Sequence, residues 1–184
     1  RIVPRKKYGI ELLLGTELNI MNAQGKIDLP DSVLERLDIA IASIHLPCFK
    51  DERTIDNVTA AYEKVMEHPY VDIIGHPDDG RFPVDMKRLV KKAKETGTLL
   101  EVNNSSLRPE GFRENTKGNC LEMVRECKAQ GVMIVLGSDS HVDADIAEYP
   151  YAEEILRETD FPEELVANVS LEKLKACIKH GKKL

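Results

Sequence analysis

The chain has 184 residues, of which 42% are hydrophobic and 32% charged, with a formal net charge of −6. That length supports one domain with a sizeable core. No apolar run reaches the length of a membrane span and no signal-peptide core stands at the start. The acid excess, with no basic stretch interleaved with aromatics, argues against strong non-specific nucleic-acid binding.

In chain order, Arg1 to Lys7 is basic, contains Pro4 and carries no helix cap. Ile10 to Leu14 is apolar apart from Glu11 and reads as a first strand, closed by Gly15, Thr16 and Glu17. Asn22 to Lys26 is a turn with Gly25 at its tip. Pro30 and Asp31 open a short helix to about Leu37. Ile39 to Ile44 is a second apolar strand, followed directly by His45. Thr54 to Glu67 carries apolar residues at helical spacing and ends at His68 and Pro69.

The third strand spans Val71 to Ile74 and is followed by Gly75, His76, Pro77 and Asp78. Met86 to Glu95 is a lysine-rich helix with Leu89, Val90 and Ala93 on its inner face, stopped at Gly97. Thr98 to Val102 is the fourth strand; Asn103, Asn104, Ser105 and Ser106 begin a polar loop that runs past Arg108 and Arg113. Asn119 to Gln130 is a helix closed by Gly131. Val132 to Leu136 is the fifth strand, and Gly137, Ser138, Asp139, Ser140 and His141 come directly after it. Ala147 to Glu158 reads as a helix, Phe161 to Glu164 as a helical turn and Val166 to Val169 as a last short strand. Ser170 caps a final helix from Leu171 to His180.

Strand, loop and helix alternate about five times. Such alternation predicts a parallel sheet with crossover helices, either a barrel or a doubly wound sheet. No glycine-rich dinucleotide fingerprint, phosphate-binding loop or nucleophile elbow is present. The four cysteines show no paired spacing and read as free thiols of a reducing, cytoplasmic setting.

The chemistry lies at and just past the carboxyl ends of the strands. Glu17 comes after the first, His45 after the second, His76 after the third, and Asp139 with His141 after the fifth. In a parallel sheet these groups are offered at one rim, where sites of α/β proteins form. His68 and His180, the other two of the five histidines, stand at helix ends and need no further role. Imidazole and carboxylate ligands without thiolates suit Zn, Mn or Fe in a hydrolytic site. Clustered cations bring a water toward ionisation at neutral pH and neutralise phosphoryl oxygens, which points to hydrolysis of a phosphate ester.

Five segments carry a resemblance over essentially the whole chain: Gly15 to Glu17, Ala42 to His45, Gly75 to Pro77, Glu101 to Ser106, and Gly137 to His141. In that order they resemble the PHP family, named for polymerase and histidinol phosphatase, and above all its stand-alone bacterial phosphatases. The resemblance implies a distorted seven-stranded TIM-like (β/α)7 barrel with up to three Zn, Mn or Fe ions at its carboxyl rim. It implies that Glu17 bridges two ions, that His45 and His76 ligate the second, Asp139 the first and His141 the third. Glu17, Asp139 and His141 would then also serve catalysis. The family opens with a His-x-His motif, whereas no histidine precedes His45 here. By that resemblance, residues 1–184 are a single PHP domain lacking its first βα units, with the third ion left to His141 alone and with exposed sheet edges that invite self-association.

Asn103, Asn104, Ser105 and Ser106 lie on the same predicted rim, either orienting ligands and substrate or serving turn chemistry. Glu101 reads as structural. Arg108 and Arg113 read as solvated charges, with bidentate phosphate clamping as the alternative. Asn103, Asn104, Ser105 and Arg108 are carried as substrate-binding candidates. The expected function is a metal-dependent phosphoesterase that uses a metal-bound hydroxide on a small phosphorylated substrate. The alternatives are a non-catalytic metal-binding module and a proofreading nuclease domain associated with a DNA polymerase.

Overall fold

The computed structural model describes residues 4, 6, 7 and 9–179. His180, and with it the end expected for the last helix, lies outside the described residues. Five parallel strands form the sheet: β3 (Gly15–Asn19), β4 (Ile39–Ser43), β5 (Ile73–Ile74), β6 (Leu99–Asn103) and β7 (Ile134–Gly137), in that spatial order. A two-stranded antiparallel hairpin, β1 (Lys6–Lys7) and β2 (Ile10–Glu11), precedes it. Among the described residues the sheet is open, with β3 and β7 as its edges. The helices α1 (Asp31–Leu34), α2 (Ile55–Met66), α3 (Met86–Thr96) and α4 (Thr116–Gln130) make the crossovers, and α5 (Pro150–Thr159) and α6 (Leu171–Cys177) come after β7.

The two faces of the sheet differ in chemistry, and the difference arises from the two-residue period of a strand. Leu18, Ala40, Ala42, Ile74, Leu100, Val102 and Ile134 point into one core, shared with Val58 and Val65 of α2, Leu89 and Val90 of α3, Met123 and Val124 of α4, and Ile155 of α5. Each large side chain among them, fully buried, contributes about 1.5–3 kcal/mol. The alternate residues face the other way. At the amino end they are apolar: Ile39, Ile41, Ile73, Leu99 and Val135 pack with Ala167, Leu174, Cys177 and Ile178. At the carboxyl end of the same face they are Glu17, Asn19, Ser43, Glu101 and Asn103. One face is thus greasy below and polar above, and the polar end carries the chemistry.

Side chains cap three helices among the described residues, Ser170 as expected and Thr54 and Asp85 in addition. Thr54 Oγ1 accepts from Asn57 N at 3.2 Å, Asp85 Oδ1 from Arg88 N at 3.1 Å and Ser170 Oγ from Lys173 N at 3.2 Å. Gly97 and Gly131 end α3 and α4 at φ of 67° and 68°, where glycine has no side-chain clash.

Three expectations are corrected. The first sheet strand is Gly15–Asn19, not the Ile10 to Leu14 run, because only the later segment alternates a core residue, Leu18, with polar ones. Ile10 and Leu12 are 69% and 42% exposed. The helix expected from Ala147 starts at Pro150, which lacks an N–H and is tolerated in the first turn, where the N–H would be unpaired anyway. Val166 to Val169 makes a single parallel bridge to Ile134 and then a 3-10 turn. Beyond that bridge the Asn168 amide pairs with β7 in place of a strand, accepting from Leu136 N at 3.0 Å and donating to Leu136 O at 2.9 Å. Cys48, Cys120, Cys127 and Cys177 are free thiols.

Candidate metal centre

Glu17 is the middle residue of β3, opposite Ile41 of β4, and not a residue beyond the strand end. His45 lies two residues past Ser43 and His76 two past Ile74, so both imidazoles stand above the ends of neighbouring strands. His76 holds a left-handed φ of 32°, uncommon for a residue with a side chain and frequent at functional sites. The three groups converge. His76 Nε2 is 3.1 Å from Glu17 Oε1 and 3.2 Å from His45 Nε2, and His45 Nε2 is 3.4 Å from Glu17 Oε1.

These spacings fit a metal ion. Ligand bonds of about 2.0–2.1 Å in a tetrahedral site place neighbouring ligand atoms about 3.3 Å apart. The proton count points the same way. His45 Nδ1 lies 2.8 Å from Asn19 Oδ1, while Asn19 Nδ2 donates to Asp28 Oδ2 at 2.6 Å. With its amide oriented by Asp28, Asn19 accepts, so His45 carries its proton on Nδ1 and turns the lone pair of Nε2 inward. Three electron pairs then meet with at most one N–H between them, an arrangement that a cation satisfies.

A second layer lies beside this group on the same face. Glu101 is 7% exposed, and its Oε2 accepts from His76 N at 2.8 Å and from Asn103 Nδ2 at 3.1 Å. Burial pushes its carboxyl pKa up. A glycine on the neighbouring strand makes room for it: a Cβ on Gly137 would stand 1.9 Å from Glu101 Oε1. Asn103 carries the network onward, since its Nδ2 also donates to Asp139 Oδ2 at 3.3 Å.

Asp139, at φ of 51°, is held by Arg113, whose Nη1 and Nη2 donate to Oδ2 at 3.2 and 3.3 Å. Arg113 also donates to Ser106 Oγ at 3.0 Å, and its side chain is only 7% exposed. The expectation of a solvated Arg113 is therefore corrected: oxygen acceptors on two loops draw it inward. All of its grip on Asp139 falls on Oδ2, so Oδ1 carries none of these bonds.

The remaining candidates have distinct places. His141 is 86% exposed and rests its Nδ1 3.0 Å from the Asp139 carbonyl, apart from the Glu17, His45 and His76 group. Asn104 Oδ1 caps α5, accepting from Tyr151 N at 2.9 Å and Ala152 N at 3.1 Å. Ser105 and Arg108 line a cleft of about 280 Å³ with Glu110, Gly111, Phe112 and Arg113. Arg108 Nη2 pairs with Asp145 Oδ2 at 2.9 Å. His68 stands past the end of α2 with Nε2 3.2 Å from Asp31 Oδ1, away from the centre. Sequence reasoning missed Asn19, although its place two residues after Glu17 on one strand was a usable signal. It also missed the Arg113 grip, for which a loop offers no periodicity.

The chain is 45% identical over 184 residues to a “probable phosphatase” of Clostridium novyi (strain NT), covering all of this chain and 74% of that protein. It is 41% identical over 182 residues to a “probable phosphatase” of Acetivibrio thermocellus, covering 99% of this chain and 74% of the relative. A likeness in fold is found to the histidinol phosphate phosphatase of Lactococcus lactis subsp. lactis Il1403, solved with zinc, L-histidinol and phosphate. The TM-score is 0.50 and the identity 14%, over 72% of this chain and 61% of that one. No family model matches the chain. Identity of this order along the whole of this chain places it in the family of these proteins named “probable phosphatase”, and it belongs to that family.

Proposed function

We propose that the chain is the core of a metal-dependent phosphomonoesterase of the PHP type, acting on a small phosphorylated substrate. The observation that carries this reading is the convergence of Glu17, His45 and His76 at spacings of 3.1–3.4 Å on the polar end of one sheet face. The names of its relatives support the phosphatase class. The zinc in the histidinol phosphate phosphatase supports a metal site, and Zn or Mn suits a donor set of nitrogen and oxygen. In the same reading the five strands belong to a (β/α)7 barrel, Asp139 serves a neighbouring ion through its Oδ1, and His141 serves a third.

An ion held by Glu17, His45 and His76 would supply positive charge against phosphoryl oxygens and acidify water near neutral pH. The chain's own groups do the rest. Asn19 fixes the tautomer of His45. Glu101 holds the strained His76 backbone through its N–H, and Asn103 ties Glu101 to Asp139. Arg108, whose partner Asp145 lies on a neighbouring loop, exchanges that carboxylate for the phosphate, which its planar fork grips at two oxygens.

The test pairs elemental analysis with hydrolysis of a generic phosphomonoester after chelation and re-addition of Zn, Mn or Mg. Metal content and activity should be lost together on chelation and in His45→Ala and His76→Ala, and return with one of the ions in the wild type only. Hydrolysis that persists in the chelated protein, or full metal content in His76→Ala, overturns the reading.

A further inference from the structure

Phe112 is 72% exposed, the highest value among the large hydrophobic residues described. Its ring is nevertheless supported. The guanidinium carbon of Arg81 stands 5.0 Å from the ring centroid and that of Arg113 stands 5.1 Å from it. Both cations are tied to one carboxylate: Arg81 grips Asp79 with Nε at 2.9 Å from Oδ1 and Nη2 at 2.5 Å from Oδ2, and Arg113 Nε lies 4.0 Å from the same Oδ2. Both guanidiniums thus lie against the ring close to Asp79, while most of the ring surface is left to solvent. The Arg81, Arg113 and Asp79 side chains are only 17%, 7% and 2% exposed, so the groups that back the ring are themselves buried.

This ring stands beside the candidate centre. Arg113 touches Phe112 on one side and Asp139 Oδ2, at 3.2 Å, on the other. Adding a single C–N bond to those two steps bounds the ring-to-carboxylate separation at roughly 10 Å. The cleft of about 280 Å³ carries Arg108 and Phe112 in one wall set, a size at the low end for small-molecule sites. A cationic fork and an open aromatic face together match a ligand with a phosphate at one end and a flat ring at the other.

We propose that Phe112 is a specificity determinant that stacks a planar heterocycle carried on the alcohol of the phosphomonoester substrate. The Arg81 and Arg113 cations against the ring withdraw its π density, which favours an electron-rich heterocycle on its exposed surface. The ligand is a small molecule and not a polynucleotide: the chain has a net charge of −6, and Glu110 and Glu114 flank Phe112, so a polyanion is repelled. This inference rests on the phosphomonoesterase reading, and its test separates the two.

The probes are adenosine 5′-monophosphate and ribose 5-phosphate, which present the same primary phosphate and differ by the base. With the full chain under one metal supply, kcat/KM is measured for both on wild type, Phe112→Ala and Phe112→Trp. Stacking of a base on an aromatic side chain predicts that the ratio of the two constants falls about tenfold or more in Phe112→Ala and is retained in Phe112→Trp. A ratio unchanged in Phe112→Ala overturns the proposal. Calorimetric binding of the same two probes to chelated protein needs no turnover. If wild type hydrolyses neither compound, a preference for the nucleotide that disappears in Phe112→Ala sustains the stacking while the phosphomonoesterase reading fails. Equal binding of both probes by wild type overturns the stacking itself.

Discussion

Replacing Asn19 with leucine tests the centre through a residue that would hold no metal itself. The substitution keeps the approximate volume of a half-buried side chain and removes the oxygen that lies 2.8 Å from His45 Nδ1. It has two consequences. The hydrogen bond that orients the ring is lost, about 1 kcal/mol in a typical case. The imidazole is also released from the tautomer that points its Nε2 lone pair at Glu17 and His76. Loss of such a supporting partner lowers metal affinity by about 10–100-fold, equivalent to about 1.4–2.8 kcal/mol. The assay is competition against a chromophoric chelator at neutral pH, with His45→Ala as the reference for complete loss of the ligand. Asp28→Ala, which frees the amide that Asn19 presents, should give a smaller loss in the same direction. An Asn19→Leu protein that binds zinc within twofold of wild type, while His45→Ala does not bind it, would refute the tautomer argument.

Gly137→Ala should destabilise the fold by about 2–5 kcal/mol, because the new methyl would stand 1.9 Å from Glu101 Oε1 while His76 N and Asn103 Nδ2 hold Oε2 of the same carboxylate in place; urea denaturation that leaves the midpoint unchanged contradicts this. His68→Gln should retain full metal content by elemental analysis, since His68 pairs with Asp31 outside the cluster, and a loss as large as that of His45→Ala would place it in the site. Thiol alkylation at pH 8 should modify half-exposed Cys48 first and spare Cys120 and Cys127 until the chain unfolds. Burial raises the Cys120 thiol well above its ordinary value and pushes Cys127 up to about 12, so the reactive thiolate is scarce at both. Peptide mapping after brief alkylation reads this directly, and rapid native labelling of Cys127 is the contrary result.

Much of the architecture was legible in the sequence because strands and helices declare themselves locally. Apolar runs at the second to fifth strands, helical spacing in Ile55–Met66, Gly97 and Gly131 past helix ends, and histidines placed after the second and third strands are all properties of short segments. Once the strands are parallel and adjacent, the topology itself brings Glu17, His45 and His76 together. What only the tertiary structure decided involves groups far apart in the chain whose pairing leaves no periodic trace. Arg113 and Asn104 belong to one polar loop and look alike as solvated or turn residues, yet one turns inward to Asp139 and the other caps α5. Glu101 is sterically possible only because Gly137, thirty-six positions later, brings no side chain to the neighbouring strand, as the register pairing Asn103 with Gly137 makes plain. Local sequence sets the direction in which a side chain leaves its strand; which oxygen, proton or empty space it then meets is settled by packing between segments that are neighbours only in the fold.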